Sequence, residues 1–312
     1  MLPNSLKYQT KIESSASRCY RSNIQAQTSG PFNPNDTIII NIPTRNNLCL
    51  CPADSYLKFR VNLTNPSPTV GCLYARWDAC GSHGVIQRIR CFSGSNLLSD
   101  IDNYGQLAKI LFDAQMSTDS TYGKFSLLAG TRNDLVVNTP NNSALQVKSG
   151  RRFGSSNGSA SGVAISTTLN ETYCLNLISL VGSLCPDKYL PLWAMTSAPL
   201  RIEIQLVQNV ANAICSDVPL NMTIDKVEYV AQMIEISDMA IDIIKQSMNG
   251  QPLQFVFNDF KNFQSTFPVS AGSSSVSIPI PAKYSSLKAL FIAQQDSTKI
   301  GVNTFFPMSS NV

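Results

Sequence analysis

Hydrophobic and polar residues alternate in short runs along much of this chain, and a period of two is the pattern of half-buried β-strands. The clearest run is 200–207, in which Leu200, Ile202, Ile204 and Leu206 share one face. Clusters of Pro, Gly, Asn and Ser separate the runs, as is typical of turns. The pattern predicts strands at 37–42, 55–63, 85–92, 97–101, 164–169, 171–180, 200–207, 222–234, 253–257, 275–280 and 287–293.

Two segments depart from this alternation and follow the helical period. Apolar residues between Tyr104 and Ala114 recur at helical spacing, which predicts an amphipathic helix over 103–116 with Asp102 or Asn103 as its N-cap. A second short helix is predicted over 237–248, with Asp238 near its start and Gly250 beyond its end.

The stretch 117–162 is polar and rich in Ser, Thr, Asn and Gly, so we predict a loop there. Its Gly- and Ser-rich part, 149–162, is flexible by composition. Arg151 and Arg152 lie in that part and could meet nucleic acid or a neighbouring subunit, but a mobile surface loop is the favoured interpretation.

Many short strands with only two short helices predict an all-β jelly-roll β-sandwich. We divide the chain into an extended N-terminal arm (1–35), a first jelly roll (36–236), a linking helix (237–250) and a second jelly roll (251–312). The last segment is too short for eight strands of ordinary length. Either the second jelly roll is reduced, or the protein continues beyond Val312, or the limits of the first jelly roll lie elsewhere.

Composition narrows the class of protein. Charged residues make up 14% of the chain, against about 25% in typical soluble domains. Such a surface suits a protein covered by neighbouring subunits, and it also suits a secreted β-sandwich. The net charge of +4 is mild, and no concentrated basic patch of the kind that nucleic-acid binders carry is evident.

Cysteine usage and hydropathy bear on the compartment. The nine cysteines are odd in number and several lie in apolar runs, which indicates a reducing compartment rather than a disulfide framework. Residues 1–20 contain no apolar signal-peptide core, and no run of 18 apolar residues occurs, so we expect neither a signal peptide nor a transmembrane helix.

Candidate catalytic groups are few. His83 is the single histidine and lies between Ser82 and Gly84, where a turn residue is favoured over a general base or a metal ligand. Metal-binding jelly-roll enzymes of the cupin type use several histidines. No G-x-S-x-G, P-loop, GxGxxG or EF-hand pattern occurs.

Two further pairs could hold a metal. Cys49 and Cys51 are separated by one residue, but zinc needs about four ligands, so buried packing is favoured. Asp100 and Asp102 precede the first predicted helix, and a capping role is favoured over calcium binding. We therefore predict no catalytic, cofactor-binding or metal-binding residue, and no enzyme.

The order of elements carries a family resemblance. The stretch from His83 to Met116 runs strand, Gly turn, strand, then Ile-Asp-Asn-Tyr into a helix. Leu190-Pro191-Leu192 precedes the long strand at 200–207, and 222–257 runs strand, short helix, strand. In these features the chain resembles double jelly-roll major capsid proteins, which build the shells of tailless icosahedral DNA viruses, virophages and Polinton-like elements.

The resemblance implies a major capsid protein in the virion shell, assembled in the host cell interior. Homotrimers with a pseudo-hexagonal outline would tile an icosahedral shell. The implied partners are other copies of the chain, neighbouring capsomers and minor capsid or penton proteins, and the N-terminal arm would contact an inner membrane or the genome. No small-molecule substrate and no cofactor are implied.

Two other classes stay open from the sequence. The first is a non-enzymatic carbohydrate- or receptor-binding β-sandwich, such as a spike or lectin-like module, which would need an exposed aromatic or acidic sugar site. Trp77 and Trp193 are the only tryptophans available for it. The second is a hydrolase on a jelly-roll scaffold, which the single histidine disfavours.

Overall fold

Strands of this chain pair into three antiparallel sheets of four strands each, as seen in a computed structural model that describes residues 17–66, 75–132, 134–137, 146–153, 168–178, 189–248, 251, 253–266, 277–305 and 308. In that part, the strands are β1 (Ser17–Gln25), β2 (Thr37–Asn41), β3 (Leu48–Thr64), β4 (Ala75–Asp78), β5 (Ile86–Ser93), β6 (Asn96–Asp102), β7 (Asp134–Val137), β8 (Gln146–Arg152), β9 (Thr168–Leu175), β10 (Leu200–Leu206), β11 (Ile214–Ser216) and β12 (Asn221–Ile236). The α-helices are α1 (Tyr104–Gln115), α2 (Thr118–Tyr122), α3 (Lys124–Ala129) and α4 (Asp238–Met248).

Two of the sheets supply most of the hydrophobic core. One has the strand order β1-β12-β3-β9 and the other β2-β10-β5-β6. Ile202 of β10 lies opposite Ile40 of β2 on one side and Cys91 of β5 on the other, and all three are fully buried. The inward-facing residues of both sheets belong to one hydrophobic cluster, so alternation along each strand gives a core on one face and a polar surface on the other.

The third sheet, β11-β4-β8-β7, is organised around Trp77 of β4. The indole ring is fully buried, with ring centroids 4.8 Å from Phe153 and 5.4 Å from Tyr173. Its Nε1–H donates to the hydroxyl of Tyr173 at 2.8 Å. Because Tyr173 belongs to β9, this hydrogen bond joins the third sheet to the edge of the first.

Several predicted elements are confirmed. The strands predicted at 37–42, 85–92, 97–101 and 200–207 correspond to β2, β5, β6 and β10, and the two predicted helices correspond to α1 and α4. Strands β3 and β12 are longer than predicted, because each continues beyond its alternating run at bulges in their shared ladder. An all-β sandwich is therefore the correct fold class. In the predicted strands 164–169 and 171–180, positions 164–167 and 179–180 lie outside the described residues.

The loop prediction for 117–162 is wrong in part. Within its described residues the chain forms α2, α3, β7 and β8. Ser117 caps α2, since its hydroxyl accepts from the N–H of Ser120. Arg152 is buried at the end of β8, so it is not in a mobile loop. The rest of the predicted flexible part, 154–162, lies outside the described residues.

The N-terminal arm is not a free arm over its second half. Residues 17–25 form β1, an edge strand paired with β12 from Ser17 opposite Ile236 to Gln25 opposite Glu228. Tyr20 and Ile24 pack partly against the core from one face, but Ser22 lies between them, so the apolar alternation is weak, and pairing with β12 supplies the backbone partners. Residues 1–16 lie outside the described residues.

The strands predicted at 253–257 and 287–293 are wrong, and so is 277–280, the described part of the third. Among the described residues that follow α4, no helix or strand forms. The alternation is present, but these runs have no neighbouring strand with which to form a ladder. The division into two jelly rolls at 36–236 and 251–312 stays a prediction.

Candidate assembly interface

The outer face of the β1-β12-β3-β9 sheet is polar, and its charges are paired across strands. Nε of Arg60 on β3 donates to Oδ1 of Asp225 on β12 at 2.7 Å, and a second guanidinium nitrogen contacts the other carboxylate oxygen. Lys58 donates to Glu228 at 3.3 Å. The hydrogen bonds from Arg60 hold the pKa of Asp225 below its ordinary value. These charges of β3 and β12 are therefore satisfied within the subunit.

The outer face of the β2-β10-β5-β6 sheet follows the same rule. Arg88 on β5 makes two hydrogen bonds to Asp100 on β6, at 2.7 and 2.6 Å, and these lower the pKa of Asp100. Arg90 lies 3.0 Å from Glu203. Asp100 is thus part of an ion pair, and its predicted role as a helix cap is wrong.

Asp102 lies at the start of α1, as predicted, but it does not occupy the N-cap position. Its Oδ1 accepts from the backbone N–H of Asn103 at 2.8 Å. Asn103 occupies the N-cap position with φ 53°, a left-handed conformation that Asn tolerates, and its side chain makes no capping hydrogen bond.

Exposed apolar side chains lie mainly elsewhere, on α4 and along the segment that follows it. We call residues 253–266 and 277–300 the linker segment. Most of the exposed large apolar residues in the described part of the chain belong to α4 or to this segment: Met239, Ile243, Leu253, Val256, Phe263, Ile278, Ile280, Tyr284, Leu287, Leu290, Phe291, Ile292 and Ile300. Large apolar side chains that are exposed in such numbers are typical of interaction sites when they form one patch.

The start of the linker segment is attached to the edge of the second sheet. Asp259 accepts from the hydroxyl of Ser99 on β6 at 2.7 Å, and Lys261 donates to the carbonyl of Asp100 at 3.2 Å. Phe255 and Phe257 pack partly against the core. Leu253 and Val256 are exposed before this attachment, and the other exposed apolar side chains of the segment lie beyond it.

A groove of about 600 Å³ opens between the linker segment, the end of α4 and the loop around Trp193. The ammonium of Lys245 lies 5.7 Å from the centroid of the Trp193 ring. Of the two tryptophans considered for a sugar site, Trp77 is fully buried and Trp193 lines this groove.

His83 lies in a buried 3-10 helix, Gly81–Val85. Its ring is enclosed by Tyr104 and Phe112, with ring centroids at 5.8 and 4.9 Å. Burial lowers the pKa of His83 to about 3. The imidazole is therefore neutral at physiological pH and has no contact with solvent that catalysis would need.

The two cysteines weighed as a zinc pair are both buried in β3. Burial raises the pKa of both the Cys49 and the Cys51 thiols, and Cys51 Sγ lies 3.4 Å from a carboxylate oxygen of Asp54. Across the described residues, no cluster of three or more His, Cys, Asp or Glu side chains is placed to hold a metal ion. None of the described helices is long and apolar enough to cross a membrane.

Comparison with known proteins gives structural matches only. No protein-family model and no curated protein sequence matches this chain. The Faustovirus major capsid protein is 11% identical, with a TM-score of 0.49, over 78% of this chain and 58% of that one. A quasi-atomic model of the PBCV-1 virus capsid is 11% identical, with a TM-score of 0.43, over 77% and 47%. The mavirus major capsid protein is 13% identical, with a TM-score of 0.36, over 77% and 52%.

This chain spans about half the length of the solved chains that it matches. All three matches are to structures of viral capsids or capsid proteins.

Proposed function

We propose that this chain is a major capsid protein that self-assembles into trimeric capsomers of pseudo-hexagonal outline, which tile an icosahedral virion shell. One observation carries the proposal. The sandwich neutralises its outward charges by pairs such as Arg60–Asp225 and Arg88–Asp100, whereas α4 and the linker segment expose apolar side chains that the chain does not cover. The resemblance in element order and the capsid structures among the matches support the same class.

The physical basis of assembly is a division of the surface. Burying apolar area contributes about 25 cal/mol per Å², and stable interfaces bury about 1,200–2,000 Å² in total. Side chains such as Leu287, Leu290 and Ile292 lie close together in sequence and contribute exposed apolar area to such an interface. The ion-paired faces gain little from contact, because their charges are already satisfied. Association is thereby directed to one side of the subunit.

The finer features of the proposal come from the resemblance. They are the two jelly rolls at 36–236 and 251–312, the threefold symmetry, the contacts with minor capsid or penton proteins, and the approach of the N-terminal arm to an inner membrane or the genome. We propose a structural role without catalysis, and the burial of His83 supports it.

The alternative is a carbohydrate- or receptor-binding sandwich. Because Trp77 is buried, this function would depend on Trp193 beside Lys245 in the groove. It predicts binding on a glycan array that a Trp193→Ala substitution removes, without formation of particles. The capsid proposal predicts particles and no such binding.

The experiment is size-exclusion chromatography with light scattering, followed by electron microscopy, on the unmodified chain and two matched variants. Leu290→Ser removes an exposed leucine (55% exposed) from the linker segment, and Leu127→Ser removes one (68% exposed) from α3. We expect trimers and faceted particles for the unmodified chain and Leu127→Ser, and predominantly monomer for Leu290→Ser. A chain that stays monomeric at micromolar concentration contradicts the proposal. Equal loss in both variants contradicts the placement of the interface.

A further inference from the structure

Beyond the linker segment, the chain returns to the sandwich and is held by hydrogen bonds. The backbone N–H of Ser216 on β11 donates to the carbonyl of Asn303 at 2.7 Å, and Nδ2 of Asn303 donates back to the carbonyl of Ser216 at 3.1 Å. Asn209 donates to the carbonyl of Gly301 at 3.3 Å. We call residues 301–305, together with Met308, the C-terminal segment.

The C-terminal segment ends in a socket that receives Met308. The Met308 side chain is 7% exposed, and its sulfur lies 3.3 Å from Sγ of Cys80. A Cβ atom added to Gly105 on α1 would lie 2.7 Å from Cε of Met308, so the methionine occupies space that only glycine leaves open. The socket is therefore shaped around this side chain.

The socket also contains a buried carboxylate that the segment helps to satisfy. Asp78 is fully buried, and its Oδ2 accepts from the backbone N–H of Met308 at 2.8 Å. A buried carboxylate is unfavourable without donors. An empty socket would remove one donor from Asp78 and open an apolar space beside Cys80 and Gly105. The site is thus incomplete without a C-terminal segment.

Nothing in these contacts requires the segment to come from the same subunit. Residues 262–300, between the attachment at Lys261 and the C-terminal segment, form no helix or strand where they are described. Fully extended, they could reach on the order of 130 Å. The entropy of closing such a loop changes slowly with its length. The docking contacts themselves would be the same for a neighbour's segment.

We propose that, in the assembled protein, the socket at Asp78, Cys80 and Gly105 binds the C-terminal segment of a second copy of this chain. This exchange rests on the proposed self-assembly. The linker segment favours the second copy. Side chains such as Leu290 (55% exposed) and Ile292 (79% exposed) are more than half exposed in their own subunit, and they would be covered by the neighbour as the linker segment crosses to it. Exchange of an identical element is a low-cost route to symmetric assembly.

The test uses a disulfide placed across the docking contact. Ser216 and Asn303 are joined by a backbone hydrogen bond, so their Cα atoms lie within disulfide reach. The double variant Ser216→Cys/Asn303→Cys is made in isotopically light and heavy forms, which are mixed unfolded in equal amounts, refolded and assembled under reducing conditions, then oxidised with oxidised glutathione. Mass spectrometry then reads the disulfide-linked peptides that contain positions 216 and 303.

Exchange predicts that about half of these peptide pairs combine a heavy and a light chain. The control Ser216→Cys/Thr298→Cys moves the second thiol into the linker segment, and it should give no such pair. Pairs that are only light–light and heavy–heavy would overturn exchange, and the absence of any 216–303 disulfide would overturn the docking itself. Trimers without mixed pairs would contradict the exchange but agree with the capsid function. Mixed pairs in dimers that never form shells would contradict the capsid function but agree with the exchange.

A second measurement covers the case in which the double variant does not fold. Met308→Asp disables the segment, and Gly105→Leu fills the socket. If segments are exchanged, a mixture of the two variants recovers oligomers that neither forms alone, because the intact socket of one binds the intact segment of the other. A mixture that stays as monomeric as the separate variants would overturn exchange.

Discussion

The hydroxyl oxygen of Tyr104 lies 3.2 Å from Nδ1 of His83, and both rings are buried. The same oxygen accepts from the backbone N–H of Ile178 at 2.9 Å, which leaves the hydroxyl proton free to donate to the imidazole. The histidine is thus held neutral by a neutral partner, in an environment whose burial opposes its protonation.

The stability of the fold should therefore depend on pH through His83. Its pKa is lowered to about 3 in the folded chain, from 6.5, so below pH 6.5 the unfolded chain binds a proton that the folded chain does not. The free energy of unfolding should be level above pH 6.5 and should fall by about 2 kcal/mol on going to pH 5. Urea denaturation at several pH values measures this.

His83→Gln is the control for that measurement. His83 is the only histidine in the chain, and the ordinary pKa values of Asp and Glu lie below pH 5. The variant should be less stable at pH 7.5 but nearly independent of pH down to pH 5. A sloping profile that persists in the variant would contradict the assignment to His83.

Tyr173→Phe should destabilise the chain by about 1–3 kcal/mol, because the substitution leaves the buried Nε1–H of Trp77 without its acceptor. Tyr20→Phe is the matched control. Its hydroxyl donates to Glu235 at 3.3 Å on the edge strand β1, where water can replace it, so its loss should change stability by under about 1 kcal/mol. An equal loss of stability in the two variants would show that the hydrogen bond to Trp77 contributes no more than an exposed one.

Two glycines separate backbone strain from steric overlap. Gly94 and Gly130 have φ of 58° and 69°, so alanine is strained at both by about 1 kcal/mol. A Cβ at Gly130 would also lie 2.6 Å from Cδ1 of buried Trp77, whereas at Gly94 the nearest atom is Cβ of Ala198 at 3.2 Å. Gly130→Ala should cost about 3 kcal/mol or more, clearly exceeding Gly94→Ala in thermal or urea unfolding.

Thiol reactivity should follow burial. Cys19 is exposed, whereas Cys80 and Cys91 are fully buried, and burial raises the pKa of Cys91 to about 12 and that of Cys80 well above its ordinary value. In the native protein, iodoacetamide should modify Cys19 quickly and the other two only on unfolding. Peptide mapping by mass spectrometry measures the three labelling rates. Labelling of Cys91 as fast as that of Cys19 would contradict the burial of Cys91 in the core.

The success of the sequence-based predictions depended on whether an element's partner could be inferred. Alternation predicted β10 because both of its neighbours, β2 and β5, lie beside it and its buried face is one continuous stripe. The same period over 287–293 did not give a strand, because a strand also needs hydrogen-bonding partners that alternation does not specify. Strand β1 is the converse case, a largely polar segment with weak apolar alternation that pairs with β12 along its whole length.

The sequence likewise predicted some features of the candidate interface and not others. The linker segment was recognisable as apolar in the sequence, but its alternation indicated burial within a second jelly roll rather than exposure. Asp100 preceded a helix and so was predicted to cap it, yet Arg88 on the adjacent strand takes both of its oxygens. The socket for Met308 could not be predicted, since it joins residues 228 positions apart.

By itself the sequence determined the class of fold, the position of α1 and α4, the scarcity of charge and the presence of a single histidine, because these depend on composition and on local periodicity. Only the tertiary structure decided that His83 is buried, that the outward charges are paired, that the linker segment is exposed and that Met308 returns to Asp78. Each of these depends on which distant segments of the chain meet, and local pattern carries no information about that.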